Sequence, residues 1–122
     1  MKKLIISITG LGYVGLQVAI AFSKKFKTFG YDINTNRIKE LQNNYDKTNE
    51  VAVNKLKKTK IIFTSNINIL QNANFHIIAV PTPINHNKKP DLKLLKNATK
   101  NIEKIIKKND IIIYESTVYP GL

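Results

Sequence analysis

The sequence contains no cysteine, which excludes disulfides, thiolate metal sites and a cysteine nucleophile from the chain itself. Acidic residues are scarce: 8 Asp and Glu stand against 20 Lys and Arg, for a formal net charge of +12. No apolar run approaches the roughly 20 residues that span a bilayer, so no membrane is expected. Met1-Lys2-Lys3 before "LIISI" imitates the basic start of a signal peptide, but glycines and a helical pattern follow where a longer apolar region and a cleavage site belong. A cytoplasmic chain is the expectation. The cation excess raises nucleic acid as a partner. Yet Arg37 is the one arginine, and the lysines fall at helix ends and exposed helix faces (Lys24, Lys25, Lys39, Lys57, Lys58, Lys100, Lys104, Lys107, Lys108) instead of forming a patch. No specific nucleic-acid partner is expected.

A length of 122 residues suits one domain with a real core. Five runs have strand character: 4–9 "LIISIT", 28–32 "TFGYD", 61–64 "IIFT", 75–80 "FHIIAV" and 110–116 "DIIIYES". They are apolar at consecutive positions, which suits a parallel sheet covered on both faces. Helical patterns lie between them, over about 14–26, 35–44 (Ile38 and Leu41 inward) and 91–108. The last is the clearest, with Leu92, Leu95, Ala98, Ile102, Ile105 and Ile106 on one face and Asp91 as N-cap after Pro90. Strands alternating with helices predict an α/β fold with a Rossmann-type, doubly wound parallel sheet in three layers. Residues 45–60 carry no clear pattern.

Three of the five glycines stand within six positions, in "TGLGYVG". The G-x-G-x-x-G formed by Gly10, Gly12 and Gly15 follows a predicted strand, opens a helix and lies 22 residues before Asp32 at the end of the next strand. Gly10 allows the tight turn, Gly12 lets a pyrophosphate approach the backbone, and Gly15 lets helix and strand pack closely. The phosphates would face the N–H groups and the positive dipole end of the helix beginning near Val14. Asp32 is placed to accept from ribose hydroxyls and to repel a 2′-phosphate, which favours NAD over NADP. Arg37, five residues on, suits a 2′-phosphate, adenine stacking or a ribose contact; Asp32 favours the latter two. "AVPTP" (79–83) and "ESTVYPG" (115–121) also end predicted strands, where open α/β sheets bind ligands. In the first, Pro81 and Pro83 stiffen a loop that would present the Thr82 hydroxyl and N–H; in the second, Ser116 and Thr117 close the last strand.

Together "GLGYVGLQVA", "GYDINTNRI", "AVPTP" and "ESTVYPG" resemble the UDP-glucose/GDP-mannose dehydrogenase family, in order and over nearly the whole chain. "NNYDKTNEV" (43–51) is similar to the G-x-D-x-T-x-E-V stretch of the branch that oxidises UDP-N-acetylhexosamines, with Asn44 in place of the glycine, a mild change for a left-handed backbone. The resemblance implies NAD as cofactor, held by Gly10, Leu11, Gly12, Tyr13, Val14, Gly15, Asp32, Arg37, Pro81, Thr82 and Thr117. Thr117 would also lie near the nicotinamide as an accessory group, while Asp46, Thr48 and Glu50 receive no role. It further implies oxidation of a sugar C6 hydroxyl to the carboxylate with two NAD, in capsule or O-antigen polysaccharide biosynthesis.

In that family a cysteine thiolate traps the aldehyde as a thiohemiacetal, and a second hydride transfer gives a thioester. This chain has no cysteine. Residues 1–122 therefore read as an incomplete NAD-binding Rossmann domain that ends after its fifth strand, an N-terminal fragment without the central and C-terminal UDP-sugar domains and inactive alone. A UDP-sugar would bind only to the full-length enzyme. Apolar surface left bare by the missing layer would favour homo-oligomers. Two other readings stand beside this one. A hydroxyacid or acyl-CoA type NAD dehydrogenase explains the glycines and Asp32 but not "AVPTP" or "ESTVYPG", and a basic non-enzymatic binding module explains only the charge.

Overall fold

The computed structural model describes residues 3–47, 51, 53–84 and 86–115. Five strands, β1 (Ile5–Thr9), β2 (Lys27–Tyr31), β3 (Ile62–Thr64), β4 (Phe75–Ile78) and β5 (Ile111–Tyr114), form one parallel sheet in the order β3-β2-β1-β4-β5. They are joined by α1 (Tyr13–Ser23), α2 (Thr35–Gln42), α3 (Val53–Lys58) and α4 (Lys93–Glu103), with a 3-10 helix at Ile67–Asn72 between β3 and β4. From β1 the chain winds outward to β2 and β3, then recrosses to β4 and β5. The direction of winding thus reverses between β1 and β4, at whose carboxyl ends such sheets open a crevice.

Side chains alternate across each strand, and both faces are covered. On one, Ile6, Ile8 and Ile77 pack with Leu16, Ala19 and Ile20 of α1, Ile38 and Leu41 of α2 and Leu56 of α3. On the other, Phe29, Tyr31 and Ile78 pack with Leu70 of the 3-10 helix and with Ala98, Ile102 and Ile105. This is the three-layer Rossmann-type sheet expected from the sequence. At its edge, β5 leaves Ile111, Ile113 and Tyr114 exposed.

Two elements differ from expectation. The predicted helix over 91–108 is shorter at both ends. Leu92 takes the N-cap position, Asp91 Oδ1 accepts from the Lys93 N–H at 3.0 Å, and Leu92 and Ile106 are exposed instead of facing inward. After Glu103 the chain turns back toward β5: Asn109 adopts φ 75° and Asp110 Oδ2 accepts from the Lys107 N–H at 2.9 Å, so the return connection overrides an apolar periodicity that continues past it. The region 45–60, with no clear pattern in the sequence, contains α3, whose single buried side chain, Leu56, is too sparse a signal to read as a helix.

α1 leaves β1 through a contact between backbones. A Cβ on Gly15 would lie 1.7 Å from the Gly10 carbonyl oxygen, which no adjustment of a side chain relieves. Gly10 has φ 96°, and a Cβ there would meet the Ala79 backbone at 3.0 Å and Val80 Cγ1 at 2.9 Å. Both positions require glycine. Gly15→Ala is expected to destabilise the fold by about 3 kcal/mol or more, overriding the gain of about 1 kcal/mol that Ala brings to a helix interior. Urea denaturation checks this, and a net gain in stability would show the contact to be slack.

A second buried feature joins three strands. Ser7 of β1 and His76 of β4 are wholly buried, with Ser7 Oγ 2.7 Å from His76 Nδ1 and His76 Nε2 3.1 Å from Asp110 Oδ2, just before β5. A neutral ring donating from Nε2 to the ionised Asp110 accepts the Ser7 hydroxyl proton at Nδ1. Burial pushes the His76 imidazole below its ordinary 6.5, more than Asp110 restores. Burial also pushes the Asp110 carboxyl up, but the Lys107 backbone N–H, His76 and the Lys107 ammonium outweigh it and leave the group below its ordinary 3.8. Both folded-state values are depressed, so both contributions are complete above the unfolded values and diminish as pH falls. Stability measured by urea denaturation is expected to fall as pH drops below about 6.5, by at most about 1.4 kcal/mol per pH unit per proton. His76→Gln should flatten the decline nearest pH 6, and an unchanged profile would remove His76 from the account.

Candidate functional site

A cleft of about 410 Å³ opens at the carboxyl ends of β1, β2 and β4. Thr9, Gly10, Leu11 and Gly12 form its floor, Tyr31 to Asn34 one side, Val80 and Pro81 the other, with Arg37 and Glu40 of α2, Lys47, and Leu94, Asn97, Ala98 and Asn101 of α4 around them. Its size is ordinary for a small-molecule site.

The two helices that start here begin differently. α2 is capped: Asn34 Oδ1 accepts from the N–H groups of Asn36 at 3.0 Å and Arg37 at 3.2 Å. α1 has Gly12 at its N-cap, no side-chain cap and no acidic residue in its first turn. The donors of that turn, at the positive end of the dipole, are therefore left for another partner. Where a Cβ on Gly12 would stand there is open space, with nothing within 4 Å, although Gly10 and Gly15 are crowded. A backbone that is bare, uncapped and accessible on one side fits an anionic group approaching it.

The loop is held from below. The Gly10 N–H donates to the Tyr31 carbonyl at 2.9 Å, and the Leu11 N–H donates to Asp32 Oδ2 at 2.9 Å. Asp32 Oδ1 accepts from the Asn34 N–H at 2.9 Å. Each Asp32 oxygen so engaged retains acceptor capacity toward the cleft. Burial, then the charge of Asp32, raises the Tyr31 phenol above its ordinary value.

Arg37 lines the cleft, with its side chain engaged by the protein itself. Its guanidinium is buried, donating from Nε to the Leu11 carbonyl at 2.7 Å and from Nη1 to Glu40 at 2.9 Å and Asp46 at 2.7 Å. Burial draws its pKa down, but hydrogen bonds and charge from Asp46 and Glu40 outweigh this and hold it above the ordinary value. Among the described residues, Arg37 Nη2 and the Thr9 hydroxyl are buried without a hydrogen-bond partner.

Of the residues singled out in the sequence, Gly10, Leu11, Gly12, Asp32, Arg37 and Pro81 line the cleft. Tyr13 is exposed and Val14 half-buried at the start of α1, Gly15 supports the loop from within the fold, and Thr82 is buried outside the lining. Thr117 lies outside the described residues, as do Thr48 and Glu50. The sequence reading missed Thr9 and the α4 wall. The latter had a signal, since Leu94, Ala98 and Asn101 recur at spacings of four and three along one side of α4. Among the described residues no group of His, Asp and Glu is arranged to hold a metal, and no helix is long and apolar enough to cross a membrane.

Residues 4–122 match the model of the UDP-glucose/GDP-mannose dehydrogenase family, NAD binding domain. The chain is 58% identical over 116 residues to the protein CapL of Staphylococcus aureus, covering 95% of this chain and 27% of that one. It is 50% identical over 122 residues to a UDP-N-acetyl-D-glucosamine 6-dehydrogenase of Pseudomonas aeruginosa, covering 99% and 29%. The solved UDP-D-ManNAc dehydrogenase of Pyrococcus horikoshii superposes with a TM-score of 0.81 at 31% identity, over 97% of this chain and 29% of that one. The chain thus spans less than a third of the length of these relatives. With the glycine loop, the uncapped α1 and Asp32 assembled at one cleft, the match over residues 4–122 places the chain in the UDP-glucose/GDP-mannose dehydrogenase family, as an NAD-binding domain.

Proposed function

We propose that this chain is the NAD-binding part of a UDP-sugar 6-dehydrogenase that oxidises the C6 hydroxyl of a UDP-N-acetylhexosamine to the carboxylate, in the synthesis of a capsule or O-antigen polysaccharide. The name of one relative supports the substrate, a UDP-N-acetyl-D-glucosamine 6-dehydrogenase at 50% identity, and the similarity to CapL at 58% supports the capsule. One structural observation carries the cofactor's place, namely the uncapped start of α1 beside the open space at Gly12.

Bound NAD supplies the acceptor for hydride from the sugar carbon. The chain's own residues bind and orient it. The first-turn N–H groups of α1 receive the pyrophosphate, and Gly12 leaves room for it. Asp32 accepts from the adenosine ribose hydroxyls with the acceptor capacity that its two backbone contacts leave free. Its charge, with that of Glu40 nearby, opposes a 2′-phosphate, and Arg37 is already neutralised by Glu40 and Asp46. The α4 wall, with Leu94 and Ala98, closes the side of the cleft opposite α2. The thiolate step that the family requires falls outside this chain, which has no cysteine. The chain by itself is expected to bind nucleotide without turning over a UDP-sugar.

Titration calorimetry tests the reading. Saturable binding of NAD is expected, with NADP weaker by about tenfold or more, the equivalent of about 1.4 kcal/mol. Gly12→Ala should leave the unfolding midpoint close to that of the parent, because its Cβ meets nothing, and should weaken NAD by about tenfold. Unchanged NAD affinity in Gly12→Ala would mean that the loop does not seat the phosphates.

A further inference from the structure

We propose that Asp46 is a positioning residue for the dinucleotide loop, acting through Arg37 to set the orientation of the Leu11–Gly12 peptide. Its binding consequence rests on the reading of the cleft given above; its structural consequence does not. Asp46 stands in the stretch 43–51, to which neither the glycine motif nor the acidic partner Asp32 gives a role.

The Asp46 side chain is fully buried, although a carboxylate avoids such a place unless paired on several sides. Oδ1 accepts from Arg37 Nη1 at 2.7 Å, and Oδ2 accepts from the Val51 N–H at 3.0 Å. Arg37 in turn donates from Nε to the Leu11 carbonyl at 2.7 Å, while the Leu11 N–H is taken by Asp32 at 2.9 Å. Both backbone groups of Leu11 are thereby fixed. In a planar trans peptide the N–H points opposite to the C=O, so turning the Leu11 carbonyl toward Arg37 directs the Gly12 N–H away from it. Asp46 thus controls, at one remove, a donor beside the space that Gly12 leaves open.

Glu40 does not duplicate this role. It shares Nη1 at 2.9 Å, but it lies three residues along the same helix and its side chain is 16% exposed, so it follows the guanidinium wherever that goes. Asp46 comes from outside α2 and holds the guanidinium against the loop. With the Asp46 charge removed, a guanidinium only 9% exposed keeps a single carboxylate and is drawn toward water, releasing the Leu11 carbonyl.

The test uses the ¹⁵N-labelled chain and Asp46→Asn, first without ligand. The Gly12 amide, which shares its peptide with the Leu11 carbonyl and reports the hydrogen bond made there, is expected to shift its signal, while the signals of Ile6, Ile8 and Ile77 in the sheet keep their positions. Shift titrations on the same samples are expected to show NAD and ADP weakened by about tenfold and adenosine unchanged. That split is one that general destabilisation does not produce. An unchanged Gly12 amide signal in a folded Asp46→Asn overturns the proposal, as does equal weakening of NAD, ADP and adenosine. Should Asp46→Asn not fold, Arg37→Lys leaves a cation for Asp46 but removes the Nε donor, and an unaltered Gly12 amide signal there overturns it equally. A parent chain that binds no NAD would sink the reading of the cleft, and the ligand-free Gly12 signal would then decide for or against Asp46 on its own.

Discussion

At Gly15 the first helix rests on the carbonyl of Gly10, and the arrangement around the cleft depends on that approach. The 1.7 Å separation between a notional Gly15 Cβ and the Gly10 oxygen leaves room for hydrogen alone. Because the two backbones meet, α1 starts directly above the end of β1, with its first turn at the crevice where the direction of winding reverses. A helix pushed away by one methyl group would carry its N–H donors off the line of the sheet. Gly10 makes the complementary adjustment, at φ 96° and against the backbone of Ala79, so that β1 and β4 are joined at the same point.

Around this contact the polar groups fall into two kinds, those satisfied by the protein and those left open. Asp32 bonds the Leu11 and Asn34 amides, Arg37 bonds Leu11, Glu40 and Asp46, and Asn34 caps α2. These contacts stiffen the floor and rim of the cleft. By contrast the first turn of α1 has no side-chain cap. Uncapped helix donors at the edge of a cleft are available to a group from outside the chain. The same distinction separates the Ser7–His76–Asp110 chain from a catalytic triad. Its order of residue types is right, but each member is satisfied inside the sheet and none lines the cleft.

Much of this was legible in the sequence. Consecutive apolar residues in "LIISI" and "FHII" reported strands covered on both faces, and the glycine spacing with Asp32 reported the loop and its acidic partner. Legibility failed where one residue's neighbours come from distant parts of the chain. Arg37 reads as a ligand-facing cation because it follows Asp32 by five residues, yet two of its partners are the Leu11 carbonyl and Asp46. Helix ends failed similarly. The periodicity of 91–108 runs on through Ile105 and Ile106, but the return to β5 stops α4 at Glu103. A helix as short as α3, with Leu56 its one buried side chain, leaves almost no periodic trace.

By itself, then, the sequence determined the alternation of strand and helix, the parallel sheet and the presence of a phosphate-type loop, because these follow from hydrophobic period and from backbone conformations that only glycine reaches. The tertiary structure decided which donors remain free, which carboxylate pairs with Arg37 and that α4 walls the cleft. Those outcomes depend on distances between residues far apart in the chain, such as Leu11 and Arg37 or Gly12 and Asn101, and no local pattern encodes a distance that exists only after the sheet has closed.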